Sequence, residues 1–261
     1  MTSFLGLITR CKDEYFIKEF CDYYISQGVD KIYVIDDDSI NKSIYSDINN
    51  NKVKIIYEKD IINNNCVSKL YKEIRNKFEW LIYCDVDEFI TTKKNLNKTI
   101  RYELENTFKN YHCVCVPWVM MGCNNRKKNP KSILKENIYR WNHDIKHYKY
   151  KKIGYNDPYT AIECKSIFKP KFFKNIKTHI PIQYLGEKNK IVNSIDLKTI
   201  TGTKYKNFRE IHIKIGYLLC YHYRIISEEN SLNKIKNNIF YKKYKINDLM
   251  SFDYSEIKDE T

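Results

Sequence analysis

Hydrophobic positions along the first 120 residues follow two alternating periods. Short apolar runs are typical of buried strands, and between them apolar residues recur three or four positions apart, as on one face of a helix. The runs predict strands at 4–8, 31–35, 53–57 and 80–84, and the helical spacing predicts helices over 14–27 and 66–78. Gly28 is expected to end the first helix. Strands that alternate with helices of this length predict βαβ units and a mostly parallel α/β sheet.

The pattern is less regular after about residue 120. Apolar residues there predict further strands at 166–173, 177–182 and 211–221. A helix is predicted over 227–241, because Ser227-Glu228-Glu229 is typical of a helix start. The second half is therefore expected to form a lobe rich in loops beside the sheet.

Composition excludes several classes of protein. Hydrophobic residues make up 43% of the 261 residues and charged residues 30%, which excludes collagen-like and wholly disordered chains. No apolar run is long enough to cross a bilayer, and no basic segment precedes the apolar residues 1–8, so we expect a cytoplasmic protein. The nine cysteines include no C-x-x-C pair, and we expect them to be small buried hydrophobes rather than zinc ligands.

The formal net charge of +14 admits two interpretations. It is typical of a protein that binds nucleic acid, an anionic surface or a phosphorylated small molecule. The lysines are, however, spread along the whole chain, as compositional drift would place them. Charge alone does not choose between the two.

The most informative segment is an acidic motif directly after a predicted buried strand. The strand at 80–84 leads into Asp85-Val86-Asp87-Glu88. Residues two apart on extended backbone point the same way, so Asp85 and Asp87 can converge on one cation. Divalent ions such as Mn²⁺ and Mg²⁺ prefer oxygen ligands, and ligands of open α/β sheets bind at the carboxyl ends of strands. The alternative is a solvated strand end.

Two further polar segments follow predicted strands. Asp36, Asp37 and Asp38 are adjacent carboxylates that repel one another, so they need hydrogen-bond donors such as those of a base or ribose, or they form a turn. Residues 9–14 place cations and helix N–H groups where a diphosphate could bind. An acidic residue such as Glu14 at a helix start is equally well explained by the helix dipole.

Taken in order, these motifs resemble the family-2-like glycosyltransferases, and in particular the branch described as family-92-like or of the domain of unknown function 23 type. The resemblance covers roughly residues 4 to 240. It rests on Lys12-Asp13-Glu14, Gly28-Val29-Asp30, Tyr33 to Ser39, Trp80 to Phe89, Lys165 to Pro170, His179-Ile180-Pro181, Tyr221-His222-Tyr223 and Ser227-Glu228-Glu229.

The resemblance implies a GT-A fold, with a single domain over 1–250 and a polar tail at 251–261. Its nucleotide-sugar-binding half would be 1–120 and its acceptor half 121–250. The activity implied is transfer of a sugar from a nucleotide-diphosphate donor, a UDP-sugar first, to a hydroxyl of a glycan or other acceptor, with inversion.

It also implies roles for particular residues. Asp85 and Asp87 would hold the metal on the donor diphosphate, and His222 would complete the site, which favours Mn²⁺ over Mg²⁺ because imidazole suits Mn²⁺ better. Asp36 matches the residue that reads the base. The remaining donor-site candidates are Arg10, Glu14 and Lys165. Asp13 departs from the family, which usually has Asn there.

The acceptor side is less defined. An inverting enzyme needs a general base near the acceptor hydroxyl, and the candidates are Glu163, Asp157 and Asp144. His179 is expected either to contact phosphate or acceptor or to be structural. The aromatic side chains that could stack on sugars, or simply belong to the core, are those of Trp118, Trp141 and Tyr155.

Two rival functions use the same features. A metal-dependent phosphoryl-transfer enzyme or nuclease would need further carboxylates near Asp85, and Glu88 is the only close one. A non-enzymatic module that binds nucleic acid would need clustered basic residues with exposed aromatics. The dispersed lysines and the acidic strand ends argue against this module, so no nucleic-acid partner is expected.

Overall fold

The computed structural model describes residues 2–58, 65–147, 161–177 and 179–259. Its strands are β1 (Ser3–Cys11), β2 (Lys31–Asp37), β3 (Val53–Glu58), β4 (Phe78–Tyr83), β5 (Glu88–Thr92), β6 (Cys113–Gly122), β7 (Tyr139–Arg140), β8 (Ala161–Phe168), β9 (Phe173–Ile176), β10 (Pro181–Tyr184), β11 (Ile191–Asn193), β12 (Lys204–Lys206), β13 (Leu218–His222) and β14 (Ile257–Lys258). Its helices are α1 (Ile17–Ser26), α2 (Asn65–Ile74), α3 (Ile100–Asn106), α4 (Ile133–Glu136), α5 (Glu210–Ile215), α6 (Glu228–Asn237) and α7 (Ile246–Met250). Short 3₁₀ turns lie at Lys42–Tyr45, Pro170–Phe172 and Lys188–Lys190.

The predicted α/β class is confirmed, since helices flank a large central sheet. Four parallel strands from the first half lie side by side in the order β3-β2-β1-β4. Leu7 of β1 pairs with Ile32 on one side and Ile82 on the other, and all three side chains are buried. The carboxyl ends of these parallel strands lie at one edge of the sheet. Asp37 is the last residue of β2 there, and Asp85 follows β4.

Strands of the second half extend the sheet next to β4. β8 pairs antiparallel with both β4 and β6, and β13 pairs parallel with β6 and antiparallel with β5. In the β13–β5 ladder His222 lies opposite Glu88. This register brings the end of β13 beside the acidic motif that follows β4.

Helix α1 packs against the segment that follows the acidic motif. Phe20 lies edge-on to Phe89, with ring centroids 5.7 Å apart, and the Tyr24 hydroxyl donates to the carbonyl of Glu88 at 2.9 Å. Both α1 residues are fully buried. The helix ends as predicted before Gly28, whose φ of +91° lies in the left-handed region. The backbone of the acidic motif is thus anchored to the core.

Several boundaries in the second half differ from the predicted ones. The strand predicted at 211–221 is wrong over its first part, because residues 210–215 form α5 and only 218–222 form β13. The strand predicted at 166–173 ends at residue 168, since the chain turns at Pro170, and the one predicted at 177–182 begins only at Pro181. The predicted helix over 66–78 ends at Ile74.

The C-terminal segment packs on the domain rather than forming a loose tail. Phe252 is buried, and β14 pairs with β7. Asp259 accepts from Arg140 Nε at 2.7 Å. Residues 251–259 therefore belong to the folded unit. No helix in the described ranges combines the length and apolar character needed to cross a membrane.

Candidate functional site

A cavity of about 400 Å³ opens where the parallel strands β1, β2 and β4 end. Its walls hold equal numbers of basic and acidic side chains, together with aromatic rings and imidazoles. The charged residues are Arg10, Lys12, Arg224, Lys234, Glu14, Asp37, Asp85 and Asp87, and the rings are those of Tyr83, Trp118, His179, His222, Phe240 and Tyr241. This is the strand edge at which ligands of open α/β sheets bind.

Asp85 and Asp87 both face this cavity, and each is paired with a lysine. The predicted extended backbone between them is wrong, because the chain turns after Asp85 and the Glu88 amide donates to the Asp85 carbonyl at 3.1 Å. The Asp85 carboxylate, 43% exposed, accepts from Lys165 Nζ at 2.7 Å. The Asp87 carboxylate accepts from Lys234 Nζ at 2.9 Å and lies 3.8 Å from His222 Nε2. Burial works against ionisation of Asp87, but the Lys234 ammonium group outweighs it and lowers its pKa. Asp87 is therefore an ionised carboxylate at neutral pH.

Lys165 lies beneath the cavity rather than in its wall. Its side chain is fully buried between Asp85, at 2.7 Å, and Glu88, at 3.1 Å. Burial alone would lower the pKa of Lys165, but the two carboxylates outweigh it and raise that pKa well above its ordinary value. Glu88 also accepts from the Asp85 amide at 2.8 Å, and burial raises the pKa of Glu88 to about 8. Lys165 thus positions Asp85, and the structure does not bring it to the surface where a diphosphate would lie.

His222 presents a neutral imidazole to the cavity. Burial lowers its pKa to about 4 despite the nearby Asp87 carboxylate, so the ring is unprotonated at neutral pH. Its ring packs on Trp118 with centroids 4.2 Å apart. The buried Nδ1 has no hydrogen-bond partner among the residues that the structure describes. The other ring nitrogen, Nε2, is the one near Asp87, at 3.8 Å, so Nε2 is the atom that could join this carboxylate on a metal ion.

The chemical types of these side chains suit a divalent cation, although Lys165 and Lys234 pair with the two carboxylates. In the described part of the chain, no three His, Cys, Asp or Glu side chains are gathered closely enough to hold a metal ion. Asp85, Asp87 and His222 nevertheless supply two carboxylates and a neutral imidazole to one cavity, a set suited to Mn²⁺. Because half-exposed Asp85 is the outermost of the three, it is the carboxylate with most freedom to move.

Arg10 and Glu14 lie in the same cavity, as predicted. Arg10 forms two bonds to Asp37 Oδ2, from Nε at 2.8 Å and from Nη2 at 2.7 Å. Glu14 accepts from Asn230 Nδ2 at 3.2 Å and lies 3.7 Å from Lys234 Nζ. Burial raises the pKa of Glu14. Glu14 is therefore tied to α6 across the cavity.

Of the two acidic residues that end β2, it is Asp37 and not Asp36 that lines the cavity. Asp36 is fully buried, accepts from the Tyr45 hydroxyl at 2.6 Å and also from the Ser39 amide. Asp37 faces the cavity, and its buried Oδ1 lacks a hydrogen-bond partner within the described ranges. The residue predicted to read the base is thus held in the core, and its neighbour Asp37 is the one that lies in the cavity wall.

The structure separates the predicted acceptor-side residues. Asp144 lies beside His143 and Ile145, which line another cavity, and it pairs with Arg209 at 3.0 Å. Glu163 pairs with Lys204 at 3.1 Å on the β8–β12 ladder and is close enough to His179 to influence the pKa of that imidazole. Neither carboxylate lines the cavity at the ends of β1, β2 and β4. Asp157 and Tyr155 lie outside the described residues.

The aromatic candidates also divide into two groups. Trp141 is a core residue, buried with its Nε1 donating to the Phe252 carbonyl at 3.1 Å. Trp118 lines the cavity between two imidazoles, and its ring centroid is 5.4 Å from that of His179. Trp118 therefore remains the candidate for contact with a sugar.

His179 has a defined tautomer in the cavity wall. Its Nδ1 lies 3.3 Å from the Cys164 carbonyl oxygen, which can only accept, so Nδ1 carries the proton and Nε2 the lone pair. Burial and the positive charge of Lys165 lower the pKa of this imidazole. His179 can therefore accept a proton at neutral pH.

Sequence reasoning missed two basic residues of the cavity, Arg224 and Lys234. Arg224 follows the Tyr221-His222-Tyr223 motif and was a detectable neighbour. Lys234 lies on the buried face of α6 with Asn230 and Ser231. The sequence signal for this role was the helical spacing of Lys234 from Asn230 and Ser231, which lie on the same face of α6.

No family model matches the chain, and no curated protein matches it. Among solved structures, HddC from Yersinia pseudotuberculosis is similar with a TM-score of 0.37 and 10% identity, over 68% of this chain and 84% of that chain. GalNAc-T7 crystallised with UDP, GalNAc and Mn²⁺ is similar with a TM-score of 0.38 and 12% identity, over 99% of this chain and 55% of that chain. At these TM-scores neither likeness bears on the function of this chain.

Proposed function

We propose that the protein is a metal-dependent glycosyltransferase of the GT-A type, which moves a sugar from a UDP-sugar to a hydroxyl of a glycan or other acceptor, with inversion. One observation carries the proposal. The acidic pair Asp85 and Asp87, the neutral imidazole of His222 and four basic side chains face one cavity at the carboxyl ends of parallel strands. The order of motifs along the chain supports a sugar nucleotide over other ligands.

The charge balance of the cavity supports a metal–diphosphate ligand. Its four basic and four acidic side chains nearly cancel, so the cavity alone has little net attraction for a dianion. Asp85, Asp87 and His222 are the residues that would hold Mn²⁺ or Mg²⁺. The two positive charges of the cation would then give the cavity an excess of positive charge. The cation, when bound, neutralises charge that develops on the leaving diphosphate. In this proposal the phosphate oxygens are contacted by Arg224 and by Lys12, whose Nζ also donates to the Asp37 and Asp38 carbonyls at 2.9 and 2.8 Å.

The nucleoside end is assigned to Asp37. Arg10 fixes one oxygen of this carboxylate. The second oxygen is buried and has no hydrogen-bond partner within the described ranges, and in this proposal a small movement of the carboxylate lets it accept from an N–H of uracil or a hydroxyl of ribose. Asp36 lies beneath it and holds the turn after β2 through Tyr45. Asp37 takes the role that the resemblance implied for Asp36.

The acceptor end is assigned to Trp118 and His179. The lone pair of His179 Nε2 can accept the proton of the acceptor hydroxyl as the oxygen attacks the anomeric carbon, which is the task of a general base. Glu163 and Asp85 favour the imidazolium that forms, while Lys165 opposes it. Glu163 therefore acts through His179 in this proposal, and not as the base itself.

The test is a thermal-shift panel of UDP, GDP, CDP and TDP, each with Mn²⁺ and with a chelator. A ligand at one hundred times its Kd adds about 2.7 kcal/mol, which raises the Tm by several degrees at this chain length. We expect a shift with UDP that needs Mn²⁺ and is lost in Asp87→Asn. The matched control is Asp22→Asn, since Asp22 is an exposed residue of α1 whose one ion pair within the described ranges is with Lys18. The absence of a shift with every nucleotide would overturn the donor site.

A further inference from the structure

The outer face of α6 and the turn after it expose large apolar side chains at the rim of the donor cavity. Leu232, Ile239 and Phe240 are 48%, 51% and 54% exposed. Phe240 also lines the cavity. We call this surface, formed by the apolar residues together with Lys236, Lys242 and Lys243, the α6 rim.

Exposure of the α6 rim is built into the backbone. The Tyr241 amide donates to the Asn238 carbonyl and the Phe240 amide to the Asn238 side chain, at 2.9 and 3.0 Å. Tyr241 and Tyr244 of the same turn pack inward against the core. The turn is therefore anchored on one side, and this anchoring holds Ile239 and Phe240 outward.

Positive charge on the α6 rim is uncompensated. Apart from Lys234, which is buried and paired with Asp87 and Glu14, residues 230–247 include four lysines and no acidic residue. Lys236, Lys242 and Lys243 are exposed, and in the described ranges they form no ion pair. At the other end of α6 the opposite holds, since Glu228 and Glu229 neutralise Lys127 and Lys128. Charge and apolar exposure thus coincide at one end of the helix.

We propose that the α6 rim docks the protein on an anionic phospholipid surface, with Leu232, Ile239 and Phe240 entering the interface and the lysines meeting lipid phosphates. Apolar side chains bordered by lysines are the arrangement by which peripheral helices lie on such membranes. Leu232 and Ile239 have no ring face for stacking on bases, which disfavours a nucleic-acid partner. Because Phe240 belongs to both surfaces, docking turns the cavity mouth toward the bilayer. This last step rests on the proposed function. If that function holds, the acceptor hydroxyl belongs to a molecule at the membrane surface.

The experiment is co-sedimentation of the full chain with vesicles of phosphatidylcholine alone and of phosphatidylcholine with phosphatidylserine. We expect binding to the anionic vesicles that is at least about tenfold stronger and weakens with salt. Ile239→Ser and the double variant Lys242→Ser/Lys243→Ser should each reduce it several-fold. The matched control is Lys52→Ser/Lys54→Ser, which removes two exposed lysines near β3 and should bind like the unmodified protein.

Three outcomes would overturn the proposal. They are equal binding to both kinds of vesicle, an equal loss in the control variant, and binding of a single-stranded RNA oligonucleotide without binding of vesicles. The Tm of each variant and its Mn²⁺–UDP shift show that the fold and cavity are intact. A protein that binds vesicles through the α6 rim but shows no nucleotide shift would retain this inference and lose the proposed function.

Discussion

Lys234 Nζ lies 2.9 Å from an Asp87 oxygen and 3.7 Å from a Glu14 oxygen, so one buried ammonium group joins two carboxylates that come from different elements of the fold. Glu14 precedes α1, Asp87 follows β4, and Lys234 comes from α6. The attraction of these carboxylates outweighs burial and raises the pKa of Lys234. Lys234, from the second half of the chain, therefore supplies the positive charge that stabilises the acidic residues of the first half.

Replacing this ammonium group should destabilise the fold. In Lys234→Met, the Asp87 and Glu14 carboxylates lose their shared counter-ion while they remain buried, which typically costs about 3–5 kcal/mol. Mn²⁺ should raise the Tm of this variant more than that of the unmodified protein, because a bound cation replaces the lost charge. Thermal unfolding with Mn²⁺ and with a chelator measures both effects.

The control for that experiment is on the same helix. Lys236 is exposed and forms no ion pair within the described ranges, so Lys236→Met should change stability by no more than about 0.5 kcal/mol. Equal stability of the two variants would contradict the role given to Lys234.

The parallel strands could be predicted because their apolar runs are short and continuous, as buried strands require. The error at 211–221 has a local cause. Ile211, Ile213 and Ile215 alternate with polar residues as in a strand, but Glu210 is bound to Arg140 and the first part of the segment coils into α5. Gly216 then ends the helix where a Cβ atom would lie 2.8 Å from Ile195. Neither contact can be inferred from the spacing of apolar residues in the sequence.

The site was predictable where chemistry follows directly from a strand end. Asp85, Asp87 and His222 end strands or directly follow them, and their residue types are metal ligands. Asp36 and Asp37 are both buried carboxylates at such an end, and only the hydrogen bond from Tyr45 shows which of them is held in the core and which lies in the cavity wall. A lysine such as Lys234 is ordinarily exposed, so its role emerges only when α6 is placed across the cavity.

Asp36 and Asp37 should respond differently to the same substitution. Asp36→Ala removes the acceptor for the Tyr45 hydroxyl and the Ser39 amide in a buried position, so we expect a loss of about 1–3 kcal/mol in the free energy of unfolding. Asp37→Ala should instead weaken UDP binding about tenfold with a smaller effect on Tm. Urea unfolding and calorimetric titration separate the two. Weaker binding in Asp36→Ala alone would return the base-reading role to Asp36.

His179→Gln should remove the proton acceptor without disturbing the donor site. We expect kcat for UDP release from the donor to fall about 10²–10⁴-fold, with UDP affinity unchanged. Because burial lowers the pKa of His179, activity of the unmodified protein should persist somewhat below pH 6.5 and fall as the imidazole becomes protonated. That acidic limb should disappear in the variant.

A second histidine provides the comparison. His112 stacks on Phe172, with ring centroids 3.5 Å apart, and does not line the donor cavity. His112→Gln should leave kcat and its pH profile unchanged. If both variants lose activity alike, His179 is not the base.

Asp30 should give stability a dependence on acid that is separate from the donor site. Its Oδ2 accepts from the amides of Phe4 and Leu5 at 2.8 and 3.0 Å, and its Oδ1 pairs with Arg101 at 2.9 Å. Partial burial works against ionisation, but the Leu5 amide and Arg101 outweigh it and lower the pKa of Asp30 below 3.8. A carboxylate with a lowered pKa stabilises the fold fully above its unfolded pKa, and this contribution is lost as pH falls through the folded value.

Asp30→Asn should therefore cost about 1–2 kcal/mol at neutral pH, because the ion pair and one charged acceptor are lost. The difference from the unmodified protein should shrink as pH falls below about 4, where the native carboxylate also loses its charge. Urea unfolding over a series of pH values measures it. Asp22→Asn, which affects only an exposed ion pair on α1, should remain within about 0.5 kcal/mol of the unmodified protein throughout. A difference for Asp30→Asn that stays constant into acid would show that its amide and arginine contacts act through shape and not through charge.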